Sequence, residues 1–155
     1  MRLRPVLVVL ALVVGLAGCG GGSSTSSKST PSPTPSPVDP KVAITQVWEG
    51  FFNPAASIDQ HVAWLQDGEK FRAELTANSK DPAAKDLSAK VKSVVVAGPT
   101  ALVTYDLLGK NGAVLLNGAQ GSAVNLTGTW QVSKKTYCQL IALQNPTVKH
   151  PGCTG

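Results

Sequence analysis

Apolar positions divide the chain into three regimes: an eleven-residue run from Val6 to Leu16, a stretch from Gly20 to Pro37 with no large apolar side chain, and a periodic remainder. In that remainder Ile44, Val47, Trp48, Phe51 and Phe52 fall at i, i+3, i+4, i+7 and i+8, the stripe of an amphipathic helix. Asp39 can cap it, Pro40 suits its first turn and Asn53-Pro54 stops it. Ser57 followed by Gln60 has the form of a capping box and predicts a second short helix carrying Ile58, Val62 and Leu65, ending near Gly68. A third helix is predicted from Glu69 to Asn78, with Phe71 and Leu75 inward.

From Ala89 the period changes to β-branched runs broken by turn residues. Strands are predicted at Val91 to Ala97, at Ala101 to Leu108, and from Ala113, the last interrupted at Asn117-Gly118 or Gln120-Gly121 and resuming from Ser122 to Leu126. Thr127-Gly128 turns the chain into a final strand, Trp130 to Ser133. Helices first and an antiparallel meander after predict an α+β fold. The expected form is N-terminal helices packed on a curved antiparallel sheet of about four strands, in the manner of cystatin-like and NTF2-like folds.

The run Val6 to Leu16 is too short for a membrane span, which needs ~20 apolar residues. Behind Arg2 and Arg4, and ahead of Leu16-Ala17-Gly18-Cys19, it has the parts of a signal peptide, residues 1–18. Leu16-Ala17-Gly18-Cys19 resembles the lipobox of bacterial lipoproteins, which implies that Cys19 carries a diacylglyceryl group and becomes the mature N-terminus. The alternative is an ordinary secretory leader cleaved near a cysteine. Residues 19–38 then form the lipid-attachment cysteine and a linker, flexible at Gly20-Gly21-Gly22-Ser23-Ser24 and stiffer at Thr30 to Pro37. The expected membrane contact is through this lipid.

Charge changes the picture less than it first promises. The whole chain is +5, but from Asp39 onward eleven Lys/Arg face nine Asp/Glu. These lysines are scattered rather than clustered, so nucleic acid is not an expected partner. Residues 39–155 suffice for a single α+β domain with a core.

Five runs in order carry a resemblance: Trp48-Glu49-Gly50-Phe51-Phe52, Leu65-Gln66-Asp67-Gly68-Glu69-Lys70-Phe71, Val103-Thr104-Tyr105-Asp106-Leu107, Gly128-Thr129-Trp130-Gln131-Val132 and Tyr137-Cys138-Gln139-Leu140. Together they resemble the domain of the mycobacterial low-molecular-weight secreted antigen family and related actinobacterial lipoproteins. The resemblance implies an exported, envelope-associated protein with a small α+β domain, and implies no catalytic residues.

If Cys19 is lipidated, Cys138 and Cys153 remain as an even pair in an oxidising compartment, which reads as a disulfide. The alternative is a buried free Cys138 with a frayed Cys153. His61 shares the domain with Asp59, Asp67 and Asp106, but no spacing fixes an acid-base pair, and a surface helix position is the plainer reading. There is no Gly-x-Ser-x-Gly elbow, no phosphate loop and no metal-ligand set. The aromatic residues Trp48, Phe51, Phe52, Trp64, Phe71 and Trp130 are expected mainly in the core. The leading functional expectation is a non-catalytic, cofactor-free envelope lipoprotein that binds an apolar ligand or an envelope protein, with a candidate pocket at Trp48, Phe52 and Val103. A module with a filled interior and an NTF2-like enzyme are the alternatives.

Overall fold

The computed structural model describes residues 38–144, 146–147 and 150–154. The expected leader, the Cys19 attachment site and nearly all of the linker lie outside the described residues. Three short helices come first: α1 (Pro40–Phe51), α2 (Ile58–Trp64) and α3 (Arg72–Asn78). Both expected caps form. The Lys41 N–H donates to the Asp39 carboxylate at 2.8 Å. The Gln60 N–H donates to Ser57 Oγ at 3.2 Å while the Ser57 N–H donates to Gln60 Oε1 at 2.9 Å, closing the capping box.

The chain then enters an antiparallel sheet of β1 (Ser88–Ala97), β2 (Thr100–Leu108), β3 (Val114–Asn125) and β4 (Trp130–Val132), in the order β1-β2-β3-β4. The fold is α+β, as expected. α1 packs on the sheet and buries Ile44, Trp48 and Phe51 completely or nearly so. Trp48 and Val103, both 0% exposed, sit in this core together with Tyr105, Phe71, Leu65 and Val132. Trp48 meets Tyr105 edge-on with ring centroids 5.2 Å apart, and Phe52 stacks on the same tyrosine at 5.7 Å. The sheet approaches α1 closely at Gly121, where a Cβ would come within 2.7 Å of the Trp48 ring. Of the six aromatics expected mainly in the core, Trp48, Phe51, Phe71 and Trp130 are buried, and Phe52 and Trp64 are partly exposed.

Four local expectations are corrected. Leu65 does not belong to α2: its backbone is extended, and it makes a parallel bridge to Val132, because a wholly buried leucine can add to the sheet beside the short β4. The third helix begins as a 3₁₀ turn, Gly68–Phe71, and becomes α-helical only from Arg72. β3 is continuous rather than interrupted. Two residues, Asn117 and Gly118, stand opposite the single Asp106 of β2, and Gly118 takes φ +64°, so the turn-like sequence is absorbed as a bulge. Finally, the meander is followed by a helix that the strand pattern did not predict, α4 (Lys134–Gln144).

α4 is fixed at its start by a buried hydroxyl cluster. Ser133 Oγ accepts the Thr136 N–H at 3.2 Å, Ser122 Oγ lies 2.6 Å from Ser133 Oγ, and Thr136 Oγ1 accepts the Ser122 N–H at 2.8 Å. These bonds join α4 to β3 without leaving the buried hydroxyls unsatisfied.

Candidate functional site

A cleft of about 700 Å³ opens where the ends of several elements meet. Phe51 and Phe52 enter it from the end of α1, with Pro54 beyond them; Ile58 and His61 come from α2, and Leu75 and Asn78 from α3. The segment after α3 supplies Ser79, Asp81, Ala83, Ala84, Lys85 and Leu87. Leu107 of β2 and Leu115 of β3 form the sheet side, and Tyr137, Leu140, Ile141 and Gln144 of α4 complete the wall. The walls are mainly apolar, with the charged and amide groups confined to a few positions. That division suits a ligand with a large apolar body, and the volume lies within the range of small-molecule sites.

The structure divides the expected pocket. Phe52 lines the cleft, whereas Trp48 and Val103 do not; both are packed in the core beneath α1. The inside of the helix–sheet sandwich at Trp48 and Val103 is filled, and the open space lies beside it. α4, absent from the predicted elements, supplies one wall. Its signal was present: Tyr137, Leu140, Ile141 and Gln144 follow helical spacing behind a serine that can cap.

His61 lines the cleft, and among the described residues no hydrogen bond or ion pair joins it to a carboxylate. Its Nδ1 lies 2.9 Å from the Ser57 carbonyl oxygen of its own helix, and its ring packs edge-on to Phe51 at 5.8 Å and Trp64 at 6.4 Å. Tyr137 is the buried polar group of the wall. It is 5% exposed and wedged edge-on between Phe71 at 5.0 Å and Phe51 at 5.8 Å, with its hydroxyl beside the Asn78 side chain. Burial first, and then the negative charge of Glu74, hold its pKa above the ordinary tyrosine range, with the neighbouring Asn78 side chain acting the other way. Tyr137 is therefore a neutral phenol at any physiological pH.

Below this wall the C-terminal segment is clasped to the domain. Cys138 of α4 and Cys153 form a disulfide with an S–S distance of 2.00 Å and Cα atoms 5.8 Å apart. His150 Nδ1 lies 2.6 Å from Glu74 Oε1 on α3. Gly152 packs so tightly on Phe71 that a Cβ would come 2.4 Å from its ring. Among the described residues, no group of three His, Cys, Asp or Glu side chains is placed to hold a metal ion. Nor is any described helix long and apolar enough to cross a membrane.

The family model described as "Low molecular weight antigen MTB12, C-terminal domain" matches residues 37–148, well over half of the chain. No curated protein and no solved structure matches the chain.

Proposed function

Because the chain belongs to the low molecular weight antigen MTB12 family, we propose that it is an exported protein of the cell envelope whose α+β domain acts by binding rather than by catalysis. In this reading the leader is removed, Cys19 carries the lipid, the linker of residues 19–38 tethers the domain to the bilayer, and the cleft beside Phe52 receives an apolar or amphipathic molecule. The observation that carries it is the cleft itself, about 700 Å³ with mostly apolar walls. Its titratable lining groups support binding over acid-base chemistry, since the His61 nitrogen that is engaged meets a backbone carbonyl rather than a carboxylate.

A second reading has its own support. The packed interior at Trp48 and Val103 is what an interaction module with no small-molecule ligand would have. Native mass spectrometry of the full chain purified from its own envelope, with a lipid extract run beside it, separates the two. A copurifying small molecule is expected; an empty protein recovered repeatedly would favour a protein partner instead. The anchor has a separate test. Cys19→Ala should move the protein from the membrane fraction to the soluble or secreted one, and unchanged partitioning would sink the lipid attachment.

A further inference from the structure

The cleft opens at one end of the sheet, and that end has a surface character of its own. In a half-buried strand every second residue is covered, yet Val114, Leu115 and Leu116 at the start of β3 are 57%, 55% and 37% exposed. Three successive apolar side chains thus stand in solvent at the tip of the β2–β3 hairpin, and Leu115 among them is also part of the cleft wall. Strand register gathers lysines at the same end. Leu108 pairs with both Val114 and Ser88, and Lys90 pairs with Asp106. Lys110 lies in the hairpin loop, and Lys85, itself a cleft residue, lies just before β1. Lys85, Lys90 and Lys110 make no salt bridge among the described residues, whereas the carboxylate of this strand end, Asp106, is already engaged by Lys92 at 3.2 Å and by the Gly118 N–H at 2.8 Å. The carboxylates that remain nearby are Asp81 and Asp86, both exposed, with Asp81 accepting the Ala83 N–H, and Glu49 of α1, which accepts the Val91 N–H at 3.1 Å beside Lys90.

We propose that this hairpin end docks on an anionic lipid bilayer, with Val114 to Leu116 entering the headgroup boundary and Lys85, Lys90 and Lys110 facing lipid phosphates. Exposed apolar residues flanked by cations that no salt bridge ties down are the combination that binds such a surface, by apolar burial and by attraction to anionic headgroups together. Docking in this orientation turns the cleft mouth, through Leu115 and Lys85, toward the layer from which an amphipathic lipid would enter. The inference rests on the reading of the cleft as an apolar-ligand site and adds the surface that feeds it.

The test uses the full chain reconstituted into phosphatidylcholine vesicles with or without phosphatidylglycerol. Val114→Trp places a fluorophore on the tip without touching the cleft lining, and Val95→Trp, 61% exposed on β1 but outside this end of the sheet, is the control. Quenching of the tip tryptophan by doxyl-labelled lipid, corrected for the wild-type chain, is expected only with phosphatidylglycerol. It should fall as salt is raised and be lost in the Lys85→Glu, Lys90→Glu, Lys110→Glu chain. Tip quenching no greater than that of the Val95→Trp control on both vesicle types would overturn the docking. Uptake of cis-parinaric acid by the same Val114→Trp chain is followed in parallel. Uptake without tip quenching overturns the docking alone, and absence of both overturns the cleft reading with it.

Discussion

Asp106 and Gly118 meet across the β2–β3 bulge, near the hairpin end of the sheet. The sequence predicts a break at Asn117-Gly118 or Gln120-Gly121 because such pairs favour turns, and a local pattern has no access to the strand opposite. In the structure the break is repaired from β2: Asp106 presents its carboxylate to the Gly118 N–H at 2.8 Å and replaces a ladder bond that the bulge removes. That N–H first, and Lys92 after it, hold the Asp106 carboxyl below its ordinary pKa. A carboxyl depressed on folding stabilises the native state above the unfolded value of ~3.9, and this contribution disappears as pH falls from there through the lower folded value. Asp106→Asn should therefore be less stable than wild type near neutral pH, with the gap closing in acid. Thermal unfolding across a pH series checks it, and a constant offset at every pH would show that ionisation of Asp106 contributes nothing.

At the scale of elements, the helices with clear periods were legible. α1 follows from its apolar stripe and Asp39-Pro40 start, and α2 from its capping box, because these signals are local. α4 carries such a signal only from Tyr137 on, and its start masks it, since Lys134-Lys135-Thr136 follow a three-residue strand directly and offer no apolar residue. What holds α4 is non-local: the hydroxyls of Ser122 and Ser133, the disulfide from Cys138, and the tail that Glu74 and Phe71 receive. The cysteine pairing, in contrast, follows from the sequence once Cys19 is set aside as the expected lipid site. Cys138 and Cys153 are separated by 15 residues, and closing a loop of that size contributes about 3 kcal/mol in the chain-entropy account. The double variant Cys138→Ser, Cys153→Ser should lose stability on that order in urea unfolding. Amide exchange should rise in α4 before it rises in β2, because the helix loses its clasp while the central strand keeps both neighbours. Equal acceleration in the two would mean that the tail does not stabilise the cleft wall separately from the fold.

For the whole molecule, periodicity located the sandwich of α1 on the sheet, and the expected pocket was placed inside it at Trp48, Phe52 and Val103. Periodicity reports which face of an element is covered, and says nothing about where the ends of elements fail to meet. The cleft arises at such ends: the last turn of α1, the segment of residues 79–87, the hairpin end of the sheet and a helix from the far end of the chain. Phe52 reaches it because α1 stops there, while Trp48, one turn earlier, is sealed against Tyr105 and Gly121. A binding cleft assembled from such ends can be filled without disturbing the core. Ala84 is suited to this, since it lines the cleft from a short exposed 3₁₀ turn and its backbone N–H bond to Asp81 does not involve the side chain. Ala84→Trp should project an indole into the space and abolish copurification of a small molecule in native mass spectrometry. Stability should change by no more than about 0.5 kcal/mol, as for surface positions generally. If the domain acts only through a protein partner, the variant should keep that partner in crosslinking at the membrane and have no bound mass to lose. Loss of the bound mass with an unchanged unfolding midpoint is thus the result that ties function to this cleft rather than to the fold as a whole.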